Sequence, residues 1–237
     1  MSEQISINKY ISSTGYCSRR EADKYIEQGR VHINGKEAKK GNRVSDADDV
    51  TVDFEAVKKK KKKKAKDAIY IMVNKADGIV CTTDKKEVDN IVDYVNYPKR
   101  IFPIGRLDKN STGLILMTND GDIVNKILRQ ENNHEKEYIV SVDKPLTGEF
   151  LENMRKGVRI HGKLTKKAKL KKTSKTAFHI TLTQGLNRQI RKMCLTLGYR
   201  VQSLHRIRIM NIHLGKLRIG EYRHLTKDEL EVLRGML

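Results

Sequence analysis

Apolar positions along this chain switch repeatedly between a spacing of three to four and a spacing of two, the periods of a helix and of a strand. Lys9, Tyr10 and Ile11 lie in a first short helical pattern. Ser18-Arg19-Arg20-Glu21 has the spacing of a capping box, in which Ser18 and Glu21 satisfy each other's backbone donors. It predicts a helix running to Gln28 and stopping at Gly29. Val31 to Ile33 alternate into Asn34-Gly35, a strong hairpin-turn pair, and Val50 to Phe54 can supply another strand. Residues 1–56 therefore read as a small module of two helices and a few strands. Farther on, strand-like runs at 69–74, 114–118, 138–142 and 178–183 alternate with helical patterns near 121–129, 147–157, 188–197 and 227–236. Asn187 is placed to cap the third of these helices, and Thr226 with Glu229 forms a capping box for the last. Parallel βαβ repetition is weak, so residues 68–237 predict an α+β domain on a mixed, mainly antiparallel sheet.

Charge separates the two regions. Lys58 to Lys64 are seven lysines in succession, and a block of like charge cannot bury apolar surface, so residues 57–67 read as a lysine-rich linker. In all, 49 Lys and Arg stand against 29 Asp and Glu, a net charge of +20. Such an excess suits a polyanionic partner, because each neutralised phosphate releases counterions. The excess is uneven. Between Asn153 and Gly220 there are 18 Lys and Arg and no Asp or Glu, which implies a face that meets phosphate. A membrane partner is not expected, since no apolar run approaches the roughly 20 residues that span a bilayer. The N-terminus lacks the apolar stretch of a secretory signal. Cys17, Cys81 and Cys194 are isolated and odd in number, and read as reduced thiols of a cytoplasmic protein. The seven histidines have no zinc-ligand spacing, so no metal site is expected.

The segment GRLDKNSTGLILMTND, from Gly105 to Asp120, concentrates the candidate chemistry. It sets one carboxylate, Asp108, beside Arg106, then a turn, then an apolar run from Leu114 to Met117. On spacing alone, Asp108 is equally a turn residue or a functional carboxylate offered to a polyanion. In the front module, Arg19, Arg20, Arg30 and Lys36 cluster around a helix start and the Asn34-Gly35 turn, an arrangement that suits phosphate contacts.

The same segment resembles motif II of the pseudouridine synthases, in the RsuA/RluB/RluE/RluF branch and nearest its RluF type. HEKEYIVSVDKP (134–145) resembles the motif carrying that family's active-site tyrosine, and QGLNRQIRKMC (184–194) the motif that ends the active-site wall. SRREADKYIEQGRVHING (18–35) resembles the S4 RNA-binding module that precedes the catalytic domain in this branch. One departure is Ala76, where the family usually has proline after the lysine of its first motif.

The resemblance implies an S4-like RNA-binding domain joined to a pseudouridine synthase catalytic domain. It implies that Asp108 is the catalytic carboxylate, kept ionised in a water-excluding pocket by Arg191. Tyr138 becomes the active-site tyrosine, stacking on the uracil over an apolar floor at Ile190, and Arg106 enters the RNA where the base was. Arg188 and Lys192 are left as ordinary phosphate contacts. The isomerisation is redox-neutral, so no cofactor is expected. The implied partner is ribosomal RNA, with a uridine of 23S RNA as substrate and a tRNA anticodon uridine as a further possible target, and the implied state is a monomer. A non-catalytic S4-type RNA-binding or ribosome-assembly protein is the alternative. An RNA methyltransferase fits less well, because no Gly-rich cofactor loop follows the first strand of the large domain.

Overall fold

The computed structural model describes residues 4–58, 68–128 and 133–237. The chain divides into two compact units, Met1–Ala68 and Ile69–Leu237. Most of the lysine-rich stretch expected as a linker, from Lys59 to Asp67, lies outside the described residues, as does Arg129 at the end of one expected helix.

In the first unit, β1 (Ile5–Ser6) runs directly into α1 (Ile7–Ser13), and α2 (Arg19–Glu27) follows. Both halves of the Ser18–Glu21 capping box form: Glu21 N donates to Ser18 Oγ at 3.2 Å and Ser18 N to Glu21 Oε2 at 2.8 Å. The chain then makes β2 (Val31–Ile33), β3 (Lys36–Glu37), β4 (Arg43–Val44), β5 (Val50–Val52) and β6 (Glu55–Ala56). Asn34 and Gly35 turn β2 into β3 with positive φ, as a two-residue hairpin loop requires. The strand expected to reach Phe54 stops at Val52. Asp53 and Phe54 take φ of +51° and +65° and form a second tight turn, into β6. Ile7, Ile11, Ala22, Ile26, Val31, Val50 and Val52 close the core of this unit.

The second unit contains β7 (Tyr70–Lys75), α3 (Ile91–Val95), β8 (Phe102–Ile104), β9 (Thr112–Thr118), α4 (Gly121–Leu128) and β10 (Lys136–Val142). It continues through α5 (Gly148–Lys156), β11 (Arg159–Ile160), β12 (Lys163–Leu164), β13 (Lys169–Lys172), β14 (Ala177–Leu182) and α6 (Gln189–Thr196). It ends with β15 (Val201–Ile209), β16 (Ile212–His213), β17 (Tyr222–His224) and α7 (Lys227–Gly235). Among the described residues nine of these strands form one sheet, in the order β13-β14-β10-β15-β9-β7-β17, with β8 on β9 and β16 on β15. The β15–β9 pair is parallel and the other pairs are antiparallel, so the sheet is mixed and mainly antiparallel, and the class is α+β.

The parallel junction depends on Gly113. A Cβ there would lie 2.3 Å from the Arg206 carbonyl oxygen, and its φ of +100° is a conformation glycine adopts without strain. The glycine of the GRLDKNSTG segment thus lets β9 and β15 close on each other. Helix α6 corrects a second expectation. Its N-cap is Arg188, held at φ +51° without a side-chain cap, while Asn187 Oδ1 accepts from Lys192 Nζ at 2.8 Å and caps nothing. Two apolar clusters flank the middle of the sheet. One joins β10 and β14 to α5 and α6, and the other joins β7 and β9 to α3. Tyr138 packs against both.

Candidate functional site

Residues 105–111 connect β8 to β9, and their backbone is fixed before any side chain reaches outward. Leu107 is buried, and its N–H donates to Cys81 Sγ at 3.3 Å. Lys75 is fully buried at the end of β7. Its ammonium donates to the carbonyls of Ala76 at 2.8 Å and Lys109 at 3.0 Å. Gly78 N donates to the same Lys109 carbonyl at 3.0 Å, and Ser111 N to the Asp108 carbonyl at 3.0 Å. Burial pulls the Lys75 pKa below its ordinary value, against the opposing fields of Cys81, Asp77 and Asp108. Burial pushes the Cys81 thiol up, which keeps it protonated. Asp108 is therefore presented by a loop tied down on both of its flanks.

Its carboxylate faces two guanidiniums. Arg188 Nη1 lies 3.9 Å and Arg191 Nε 4.0 Å from Asp108 Oδ2. Arg191 is the more buried, with its side chain 12% exposed. Its Nη2 donates to the Asn110 carbonyl at 2.6 Å and to Ser111 Oγ at 3.3 Å, and its Nη1 to the Val201 carbonyl at 3.3 Å. Arg191 thus staples α6 to the Asp108 loop and to the start of β15. Burial, and then the charge of Arg188, lower the Arg191 pKa, with Asp108 and Asp77 acting in the other direction. The Asp108 side chain is 28% exposed. The free protein therefore does not exclude water from it, contrary to the closed pocket expected from sequence.

Tyr138 lies on β10, directly across from Arg206 on β15 and Ile180 on β14, and is partly buried. The Arg206 guanidinium carbon stands 6.0 Å from the Tyr138 ring centroid, and Arg206 Nε donates to the Leu114 carbonyl at 2.7 Å. Ile190 is buried in the α5–α6 cluster against which Tyr138 packs, and Arg106 is exposed on the loop two residues before Asp108. The fold thus gathers residues from β8–β9, β10 and α6. Sequence reasoning missed Lys75 and Arg206, and it read Arg188 as a phosphate contact without placing it beside Asp108. The available signal was charge at positions of apolar rhythm: Lys75 closes a strand whose six residues are all buried.

In the first unit Arg19, Arg20 and Lys36 are exposed. Arg30 differs, because its fork is committed to Asp53, with Nε donating at 2.7 Å, and its guanidinium lies 4.2 Å from the Tyr25 centroid. Its donors are thus paired within the protein, where they brace the Asp53–Phe54 turn. Among the described residues no group of three or more His, Cys, Asp or Glu is placed to hold a metal ion. No helix there is long and apolar enough to cross a membrane.

Comparison with known proteins bears on this geometry. Residues 69–196 match the family described as RNA pseudouridylate synthase, and residues 6–51 match the S4 domain. The chain is 56% identical over 226 residues to the dual-specificity RNA pseudouridine synthase RluF of Escherichia coli strain K12, covering 95% of this chain and 77% of that protein. It is 31% identical to the ribosomal large subunit pseudouridine synthase B of Bacillus subtilis, covering 97% of this chain and 96% of the relative. A crystal structure of a pseudouridylate synthase superimposes with a TM-score of 0.70 at 31% identity, over 97% of this chain and 99% of the other. These likenesses support an isomerase and not the alternative of a non-catalytic S4-type RNA-binding protein.

Proposed function

The chain belongs to the RNA pseudouridylate synthase family, and from that premise we propose that Asp108 is the carboxylate through which it isomerises a uridine of 23S ribosomal RNA. The observation that carries the reading is the Asp108 carboxylate between two guanidiniums at 3.9 Å and 4.0 Å, on a loop braced by buried Lys75. Turning uridine into pseudouridine breaks the C1′–N1 bond and joins C1′ to C5. The C5 proton is lost and N1 gains one, so composition and oxidation state are unchanged and the reaction calls for no cofactor. Breaking the glycosidic bond develops positive charge at C1′. An ionised carboxylate serves there as nucleophile or as stabiliser, and two guanidiniums flank Asp108.

The other roles follow from position. Tyr138 offers a ring face for the extruded uracil, with Ile190 in the apolar cluster behind it. Arg191 fixes the loop and supplies a buried cation. Arg106, exposed beside Asp108, takes the place of the base, whose removal from the stack costs a few kcal/mol. Arg19, Arg20 and Lys36 contact phosphates from the S4 unit. A tRNA anticodon uridine is a second substrate on this reading, the protein acts as a monomer, and it works in the cytoplasm. The test is tritium release from 5-tritiated uridine in RNA. Wild-type protein releases tritium and Asp108→Asn does not; release by the variant at the wild-type rate would overturn the assignment.

A further inference from the structure

The flank of Asp108 holds more positive charge than one carboxylate balances, and the two cations there are not equivalent. Arg191 spends its Nη1 and Nη2 donors on Asn110, Ser111 and Val201 and is 12% exposed. Arg188 is 45% exposed, and among the described residues its guanidinium makes no hydrogen bond; its contact with Asp108 is electrostatic, at 3.9 Å. Its backbone is left-handed, at φ +51° and ψ +36°, which is uncommon for a residue with a long side chain. That conformation ends the loop one residue before α6, beside Asp108. Arg188 also lies in the acid-free stretch from Asn153 to Gly220, so no nearby residue in sequence competes for it. An arginine fork with unspent donors is complementary to a phosphate, which it can grip at two oxygens.

Taking Asp108 as the reacting carboxylate, we propose that Arg188 is a substrate-phosphate residue that Asp108 holds in reserve. A phosphate flanking the target uridine takes the Arg188 guanidinium, and Asp108 is left paired with Arg191 alone. The exchange does two things at once. It places a cation between the incoming phosphate and a carboxylate that would otherwise repel it. It also removes one of the two cations that hold the Asp108 charge, leaving that charge freer to meet the positive C1′. Arg191, by contrast, is a positioning residue: its Nη atoms hold the loop and the start of β15, and only its buried Nε, without a hydrogen-bond partner among the described residues, faces Asp108 at 4.0 Å.

Filter binding of the full chain to unmodified, transcribed 23S ribosomal RNA tests the exchange without requiring turnover. Arg188→Gln weakens binding about tenfold and flattens the dependence of log affinity on log salt by about 0.7, the value for one lost single-strand phosphate contact. Arg188→Lys keeps the slope but not the full affinity. Asp108→Asn tightens binding severalfold, because the competing carboxylate is gone, and most of that gain disappears when Arg188→Gln is added. Equal tightening in both backgrounds, or an unchanged salt slope in Arg188→Gln, overturns the exchange. Failure of the catalytic reading shows separately, as wild-type tritium release by Asp108→Asn.

Discussion

Lys75 carries the cost of holding Asp108 in place. A buried ammonium is expensive unless its donors are satisfied, and here it donates to two backbone carbonyls, one of them on the residue after Asp108. Lys75→Met keeps the bulk and removes both the charge and the donors. Global stability should move by less than about 2 kcal/mol, because relief of desolvation offsets the lost hydrogen bonds. Turnover should fall about tenfold or more, since a loop free to shift misplaces the reacting group. The folded-state pKa of Lys75 lies below its ordinary value, so the unfolded chain binds more protons between that pKa and about 10.4. Its contribution to stability is therefore present above the unfolded pKa and lost as pH falls through the folded one. Urea unfolding of wild type and Lys75→Met should show wild type gaining on the variant as pH rises toward 10.5; a gap independent of pH would remove Lys75 as its source. At this scale Asp108 and Tyr138 could be singled out as candidates because their motifs are contiguous in the chain. The approach of Arg188 to Asp108 could not be read, because it depends on one left-handed residue that no spacing rule marks.

Elements were legible where local chemistry decides them. The two capping boxes were read correctly at Ser18 and Thr226, since a cap is closed by residues three apart. The longest strand, β15, was missed. Its sequence, VQSLHRIRI, interleaves apolar and charged residues, and one of its buried side chains is Arg206, which sits in the sheet only because Leu114 on β9 accepts its Nε–H. Lysine-rich β13 was missed for a different reason. It is a sheet edge, where lysines discourage pairing with another chain at the expense of an apolar pattern. The cap on α7 has a consequence beyond the helix. Glu229 closes the box with Thr226 and also accepts from both Nη atoms of Arg223 on β17, at 2.8 Å and 2.7 Å. Thr226→Ala should cost about 1 kcal/mol of global stability and leave the pairing of Arg223 with Glu229 intact. Chemical denaturation reads the first. A double-mutant cycle with Arg223→Gln reads the second, and strong coupling between positions 226 and 223 would mean that cap and ion pair form one unit.

The net charge of +20 belongs to the whole molecule, but the fold makes its lysines and arginines unequal. Arg206 is buried on a carbonyl and a ring, Arg208 is held by Glu135 and Glu137, and Arg223 is held by Glu229. Those charges are spent on folding and cannot release counterions from RNA. Arg19, Arg20 and Lys36 are exposed on the S4 unit, where Arg30 is bound to Asp53. Composition counts all four alike, and only side-chain partners separate them. Replacing Arg19, Arg20 and Lys36 together by glutamine should weaken RNA binding across unrelated sequences and reduce the salt slope by about two, at roughly 0.7 per phosphate contact. Arg30→Gln should leave the slope nearly unchanged and lower the melting temperature, because the turn at Asp53 and Phe54 loses its brace. Binding measured across a salt series, beside thermal unfolding of each variant, separates the two classes. A slope that fell with Arg30→Gln and held with the triple replacement would reverse the assignment, and would mean that the Asp53 contact opens when RNA arrives.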